Sequence, residues 1–372
     1  MKHFENKTRM GATRICIFCG RPPSDKDNEH PLPMWLLRLT GDPNRVVRHG
    51  AKWSTGKAFE FSYDSLKFPS CAACNRGYST LEGNAKDVVE RICRYEAVEP
   101  AGYVTLLDWL DKVRIGLWLG HKYLQGNPSA PTFTIDSRIG TKDRMVAVYV
   151  FHGHAPGLNT FGVETPLFQH QPSVFALRVN TILFLNASWD WMCASRCAYP
   201  FPRSRTLDLD VGAVVAGDYR CSSRIVHPIM SGLHKPTVLL FQPILQGDMD
   251  ALRELVSREC LQRCLDQSWP ERPAVGPLFR QYSHETVRTS ASSPPVAFDV
   301  VRECEARSLV DVATQTYQCQ IDSLGDAAIS SADPQVVRNY NASKKALIAY
   351  NRLVISKYRS IPPKNFRQLW GR

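Results

Sequence analysis

No window of this chain approaches about 18 consecutive apolar residues, so the sequence offers no membrane-spanning helix. Its opening stretch, MKHFENKTRM, lacks the apolar run of a secretory signal, and the expectation is a soluble, cytoplasmic protein. A repeat with a period of about 20 to 50 residues is also missing, which excludes solenoids and propellers. Neither a Walker A loop, nor a dinucleotide fingerprint, nor a nucleophile elbow occurs, which removes the chemistries those loops serve. Acids are missing locally: from Gln335 to the last residue, Arg372, there is no Asp or Glu.

What is present is globular. The 372 residues are 44% apolar, 22% charged and 10% aromatic, too apolar for disorder and too many for one core, so two or three domains are expected. The 46 Lys and Arg outnumber 35 Asp and Glu, and a formal charge of +11 points to a polyanionic partner. The 12 cysteines, in a chain read as cytosolic, are expected to stay reduced, so clustered pairs read as metal ligands.

Apolar spacing predicts helices over about Leu81 to Arg94 and Tyr103 to Leu124, the second through Leu106, Leu107, Leu110, Val113, Leu117 and Trp118. Between about 131 and 245 the runs TFTID, MVAVYVF, VFALRV, TILFLN and TVLLFQPI predict a mixed sheet with helices against it. A further helix is predicted from Asp248 to about Gln267, with Cys260 and Cys264 as buried thiols. The stretch TSASSPP, Thr289 to Pro295, reads as a linker. The fold class expected is α+β, with an N-terminal module over 1–98, an α+β domain over 99–288, a linker over 289–296 and a C-terminal region over 297–372 with a basic helical tail.

Two C-x2-C pairs carry the chemistry: Cys16 and Cys19 in RICIFCG, Cys71 and Cys74 in FPSCAACN. Two such knuckles present four thiolates tetrahedrally to one structural Zn²⁺. The insert between the pairs is 51 residues long, more than a minimal zinc ribbon needs, so something functional is expected within it. It holds Glu29-His30-Pro31-Leu32-Pro33 after a polar turn, and Asn75 follows the last cysteine directly.

In these residues the chain resembles the HNH endonuclease family, in its zinc-stabilised branch, over roughly residues 12 to 95. The resemblance implies a ββα-metal module hydrolysing DNA phosphodiester bonds. His30 would act as general base, while Glu29 and Asn75 would hold a catalytic Mg²⁺ or Mn²⁺. The family's middle Asn has no counterpart in YDSLKFPS, where Ser65 or Asp64 would have to substitute, and the acid is Glu29 where Asp is commoner. Glu82 is open to two readings: a further metal ligand, or the Glu of a capping box Ser79-x-x-Glu82, with the cap favoured.

The weaker candidates are His152 and His154, spaced for a metal but with no Cys or acid motif beside them, and Cys193 and Cys197, for which burial is the plainer reading. In the tail, Lys344, Lys345, Lys357 and Arg359 are candidates for contacting nucleic acid, with Tyr340, Tyr350, Tyr358, Phe366 and Trp370 interleaved for stacking. Against this, Ala346, Leu347, Tyr350, Leu353 and Val354 have the spacing of a packed helix. The leading expectation is a metal-dependent DNA endonuclease serving bacterial antiviral defence. One alternative is the HNH subunit of a guided complex, of short-Argonaute or CRISPR type, with a guide nucleic acid or second protein as partner. The other is a non-catalytic zinc ribbon that binds nucleic acid.

Overall fold

The computed structural model describes residues 15–361 apart from 24, 26, 52–54, 56, 63–64, 126–132, 153–154, 222–232, 247–248, 265–274, 283–284, 299–307 and 326. Asp64, His154, Leu265, Lys364, Phe366, Arg367, Trp370 and Arg372 therefore lie outside the described residues, as does the side chain of Cys264.

The elements run, in chain order, β1 (Asn28–Glu29), α1 (Met34–Leu39), β2 (Val46–Ala51), β3 (Ala58–Ser62), β4 (Phe68–Pro69), α2 (Ala72–Gly77), α3 (Ser79–Cys93) and α4 (Pro100–Leu124). Then come β5 (Arg144–Val150), β6 (Leu158–Phe161), α5 (Pro166–His170), β7 (Val174–Val179), β8 (Ile182–Ser188), β9 (Phe201–Pro202), β10 (Arg205–Asp208), β11 (Ala213–Ala216) and β12 (Tyr219–Arg220). The last are β13 (Val238–Gln242), α6 (Met249–Leu255), α7 (Arg258–Cys264), β14 (Leu278–Tyr282), β15 (Glu285–Thr289), α8 (Leu309–Gly325), β16 (Ile329–Ser330) and α9 (Pro334–Ser360).

At the centre is a seven-stranded sheet in the order β15-β14-β13-β5-β8-β7-β6, and every neighbouring pair in it is antiparallel, which corrects the expected mixed sheet. Its inner strands read as continuous apolar runs because both faces are covered. Val146, Val148, Phe175, Leu177, Phe184 and Leu240 enter one core with α4 and the N-terminal module. Their alternates Met145, Ala147, Tyr149, Ala176, Leu185 and Leu239 enter a second core with α8 and α9. The chain is thus α+β, with helices on both faces of an antiparallel sheet.

Helix α4 carries unusual charge for a buried helix, with Asp108, Asp111, Lys112 and Arg114 all inaccessible. Each is paired. Arg114 donates to Asp111 at 2.6 Å and to the Pro172 carbonyl at 2.9 Å, and Arg144 of β5 pairs with Asp108 and bonds Gln242 at 2.8 Å. One side of the helix is therefore fastened to the sheet through satisfied ions, the arrangement that burial of charge requires. On the N-terminal module's side it approaches closely: a Cβ on Gly120 would lie 2.5 Å from the Phe68 ring of β4, so only glycine fits there.

Three expectations are corrected. TFTID forms no strand over its described residues: Phe133 stacks on Trp118 at 4.3 Å and Ser137 Oγ caps the turn by accepting from Thr134 N–H at 2.9 Å, so side-chain packing wins over strand pairing. The single helix from Asp248 is two, α6 and α7, because Ser257 Oγ accepts from the Cys260 N–H at 3.2 Å and starts a new helix. Cys260 is buried as expected but is disulfide-bonded to Cys221, against the expectation of reduced thiols.

Of the segment 289–296, Thr289 ends β15 and Val296, 2% exposed, pairs with Val98. Cys193 and Cys197 are buried. His152 is exposed, with its ring 5.9 Å from that of Tyr95. Among the described residues no helix is long and apolar enough to cross a membrane.

Candidate metal centre

The two knuckles converge. The ligand atoms of Cys16, Cys19, Cys71 and Cys74 all lie within 4.8 Å of one another, and among the described residues this is the one such cluster of His, Cys, Asp and Glu. Tetrahedral Zn²⁺ with bonds of about 2.3 Å places its sulfurs roughly 3.8 Å apart, so the quartet closes onto zinc with small adjustments. The first knuckle is a tight turn: Gly20 N–H bonds the Cys16 carbonyl at 2.9 Å while Gly20 takes φ +74°, the left-handed region. The second is tied to it, because Cys71 N–H donates to Cys16 Sγ at 3.3 Å. Burial pushes the Cys16 and Cys74 thiols up, Cys74 to about 12. Burial also raises Cys19, yet donors from Arg21 outweigh it and bring that thiol down to about 7. Four sulfurs this close resist joint ionisation until a cation joins them, and the donor set fits zinc.

The same clamp organises the insert. β1 pairs with β4, aligning Glu29 with Phe68, and Ser70 N–H bonds the Asp27 carbonyl at 3.1 Å. Asp25 closes the start of α2 by accepting from Ala72 N–H at 3.1 Å. Asn75, in the second turn of that helix, donates from Nδ2 to Asp27 Oδ2 at 3.0 Å. The segment leading into Glu29-His30 and the helix carrying Asn75 are therefore joined side chain to side chain. His30, directly after β1, is half-buried.

Glu29 is 5% exposed and its carboxylate accepts from Lys112 of α4. Burial raises the Glu29 carboxyl, and the Lys112 ammonium pulls it back part of the way. Lys112 also pairs with Glu82. The favoured capping box is thus overturned: Ser79 lies inside α3 with its hydroxyl on the Arg76 carbonyl at 2.7 Å, and Glu82 turns inward to the lysine. One helix does not run through Asn75 and Glu82 either, since α2 ends at Gly77 and α3 starts at Ser79. The oxygen donors near β1 are Asp27, Glu29, Asn75 and Glu82, hard ligands suited to Mg²⁺ or Mn²⁺, but the Glu29 and Glu82 carboxylates already share an ammonium.

Sequence reasoning passed over Asp27 and Lys112. Asp27 had a signal, as an acid two residues before Glu29 in the polar turn. Ser65, expected as a substitute for a middle Asn, is exposed and donates to the Ser62 carbonyl at 2.7 Å.

In the tail, Lys344 is committed: its ammonium bonds the carbonyls of Gly325 at 2.9 Å and Ala327 at 2.7 Å. Lys345, Lys357 and Arg359 are exposed on α9. The packed stripe expected through Tyr350 and Leu353 is rotated, with those two exposed and Asn351 and Ile355 buried on α8.

The chain matches no protein-family model, no curated protein and no solved structure.

Proposed function

We propose that the N-terminal module is a metal-dependent HNH-type endonuclease acting on DNA, braced by a structural zinc on Cys16, Cys19, Cys71 and Cys74. The observation that carries the reading is the Asn75–Asp27 hydrogen bond, 3.0 Å long, between the zinc-knuckle helix and the segment leading into Glu29-His30. A ribbon serving only to bind has no need to tie the segment leading into Glu29-His30 to the helix carrying Asn75.

His30 is the general base, its neutral imidazole taking a proton from the attacking water. Asp27 orients the Asn75 amide by accepting from its Nδ2, leaving the Asn75 carbonyl oxygen to ligate a cation. Glu29 and Asn75 are the residues that would hold Mg²⁺ or Mn²⁺, which supplies Lewis-acid neutralisation of charge on the phosphate and leaving oxygen. Lys112 keeps the buried Glu29 carboxylate compensated by a cation. The formal charge of +11 favours DNA as the polyanion, and a role in defence, alone or with a partner, belongs to the same proposal.

A second reading, a zinc module that docks nucleic acid without cutting it, draws on that same Lys112, which neutralises Glu29 with no divalent ion. Supercoiled plasmid incubated with the zinc-loaded chain separates the two. Nicking that needs added Mn²⁺ or Mg²⁺, stops in EDTA and is lost in Asn75→Ala supports the nuclease. Binding without nicking at any divalent concentration, alone or with copurifying partners, supports the docking module.

A further inference from the structure

Away from the metal centre a cavity of about 250 Å³ opens between the end of β8, the small sheet of β10, β11 and β16, and the turn before β5. Its walls divide by chemistry. Trp189, Trp191, Leu207, Val214, Ala327 and Ala328 supply apolar surface, while Arg138, Lys142 and Arg205 bring three cations against one acid, Asp190.

The cations are unequal. Lys142 is spent on Asp190, and Arg205 lies 5.6 Å over the Trp191 ring with Nη1 on the Asp190 carbonyl at 3.0 Å. Arg138 is different: among the described residues its guanidinium donates to no atom and pairs with no carboxylate, resting only over the Phe133 ring at 4.5 Å. The acid beside it on α4, Asp111, is taken by Arg114 at 2.6 Å and by the Gly140 N–H at 3.1 Å. Burial, with repulsion from Arg114, lowers Arg138 to about 10, although Asp111 and Asp190 act on it from a distance in the opposite sense. Ser188 Oγ, at 0% exposure, also has no hydrogen-bond partner.

A guanidinium whose buried Nε–H has no partner is costly, and a fork of N–H donors is satisfied best by a planar or tetrahedral oxyanion. Two indoles beside it suit a flat ring. The volume, just under the usual range of about 300–1,000 Å³, admits one small molecule and excludes a run of nucleic acid.

We propose that this cavity binds a small phosphorylated ligand carrying an aromatic ring, of the nucleoside monophosphate class, with Arg138 on the phosphate and the tryptophans beside the ring. The turn bearing Arg138 also reaches the first zinc knuckle, where Ile135 N–H bonds the Ile17 carbonyl at 3.1 Å and Asp136 N–H bonds the Phe18 carbonyl at 3.2 Å. Occupancy is therefore positioned to be felt at the module beyond, whether or not that module cuts DNA.

The test is titration of the full zinc-loaded chain with AMP, CMP, GMP and UMP, followed by tryptophan fluorescence and calorimetry, with adenosine and inorganic phosphate as controls. At least one monophosphate should bind saturably, with phosphate and its nucleoside about tenfold or more weaker, and Arg138→Gln should weaken it by about tenfold or more with zinc content unchanged. Should Arg138→Gln not fold, Arg205→Gln, also on the wall of the cavity, should weaken the same ligand. No saturable binding at millimolar concentration, binding unchanged in the variant that folds, or phosphate alone binding as tightly would overturn the proposal. None of these results depends on nuclease activity.

Discussion

Removing Lys112 isolates one buried ion pair that joins the N-terminal module to α4. The Lys112 and Glu29 side chains are 2% and 7% exposed, so Lys112→Met would strand a carboxylate where water cannot reach it. Breaking a buried pair by deleting one partner costs about 3–5 kcal/mol, or at least two orders of magnitude in the unfolding constant. The second partner, Glu82, at 23% exposure, adds little, since partly solvated pairs are worth about 0–1 kcal/mol. Met keeps most of the aliphatic stem, so little packing is forfeited. Glu29→Gln alone should cost less, because Lys112 retains Glu82. The double variant Lys112→Met with Glu29→Gln should recover most of the stability, since no buried charge remains. The assay is urea unfolding of the zinc-loaded protein at pH 7, read as a double-mutant cycle. Lys112→Met within about 1 kcal/mol of wild type, or no rescue by Glu29→Gln, would refute a buried Lys112–Glu29 pair.

Cys74→Ser should lose the zinc and unfold the N-terminal module, because metal-binding energy in small modules is largely folding energy; metal analysis returning one zinc per folded variant chain would contradict this. Asp143 is fully buried, and despite N–H donors from Cys193, Ala194 and Ile244, burial drives its carboxyl up to about 7. An acid raised in the folded state weakens folding as the unfolded chain ionises first, so stability should fall as pH rises from about 4 to 7, and Asp143→Asn should flatten that slope in thermal melts. Exchanging Lys345, Lys357 and Arg359 for Ala should reduce the log–log salt slope of DNA binding by about 0.9 for each phosphate those side chains neutralise, and an unaltered slope would leave those charges as solvated surface. Lys344→Ala should instead lower stability, since its ammonium bonds two backbone carbonyls.

What could be read from the chain followed the range of the interactions. Helix α4 and strands β5, β7, β8 and β13 were legible because burial imposes local spacing. The paired knuckles were legible because C-x2-C is a local geometry repeated once, and the structure brings all four sulfurs together. Competition between equally local signals was harder. Ser257 split a continuous apolar pattern, and Phe133 left the strand its neighbours favoured to stack on Trp118. Glu82 had a plausible cap three residues away and went to a lysine 30 positions on. Long-range polar pairing left no trace: nothing in EHPLP announces a lysine 83 positions downstream. The partnerless Arg138 is visible only once every acid near it is seen to be taken.

Cleavage by His30→Ala tests the central claim most directly. The variant should match wild type in zinc content, melting temperature and DNA affinity, while plasmid nicking in Mn²⁺ falls by about 10²-fold or more, because the base acts only in the chemical step. Wild-type nicking by a His30→Ala protein, under every divalent ion that supports the reaction, would contradict the assignment of this site as a nuclease.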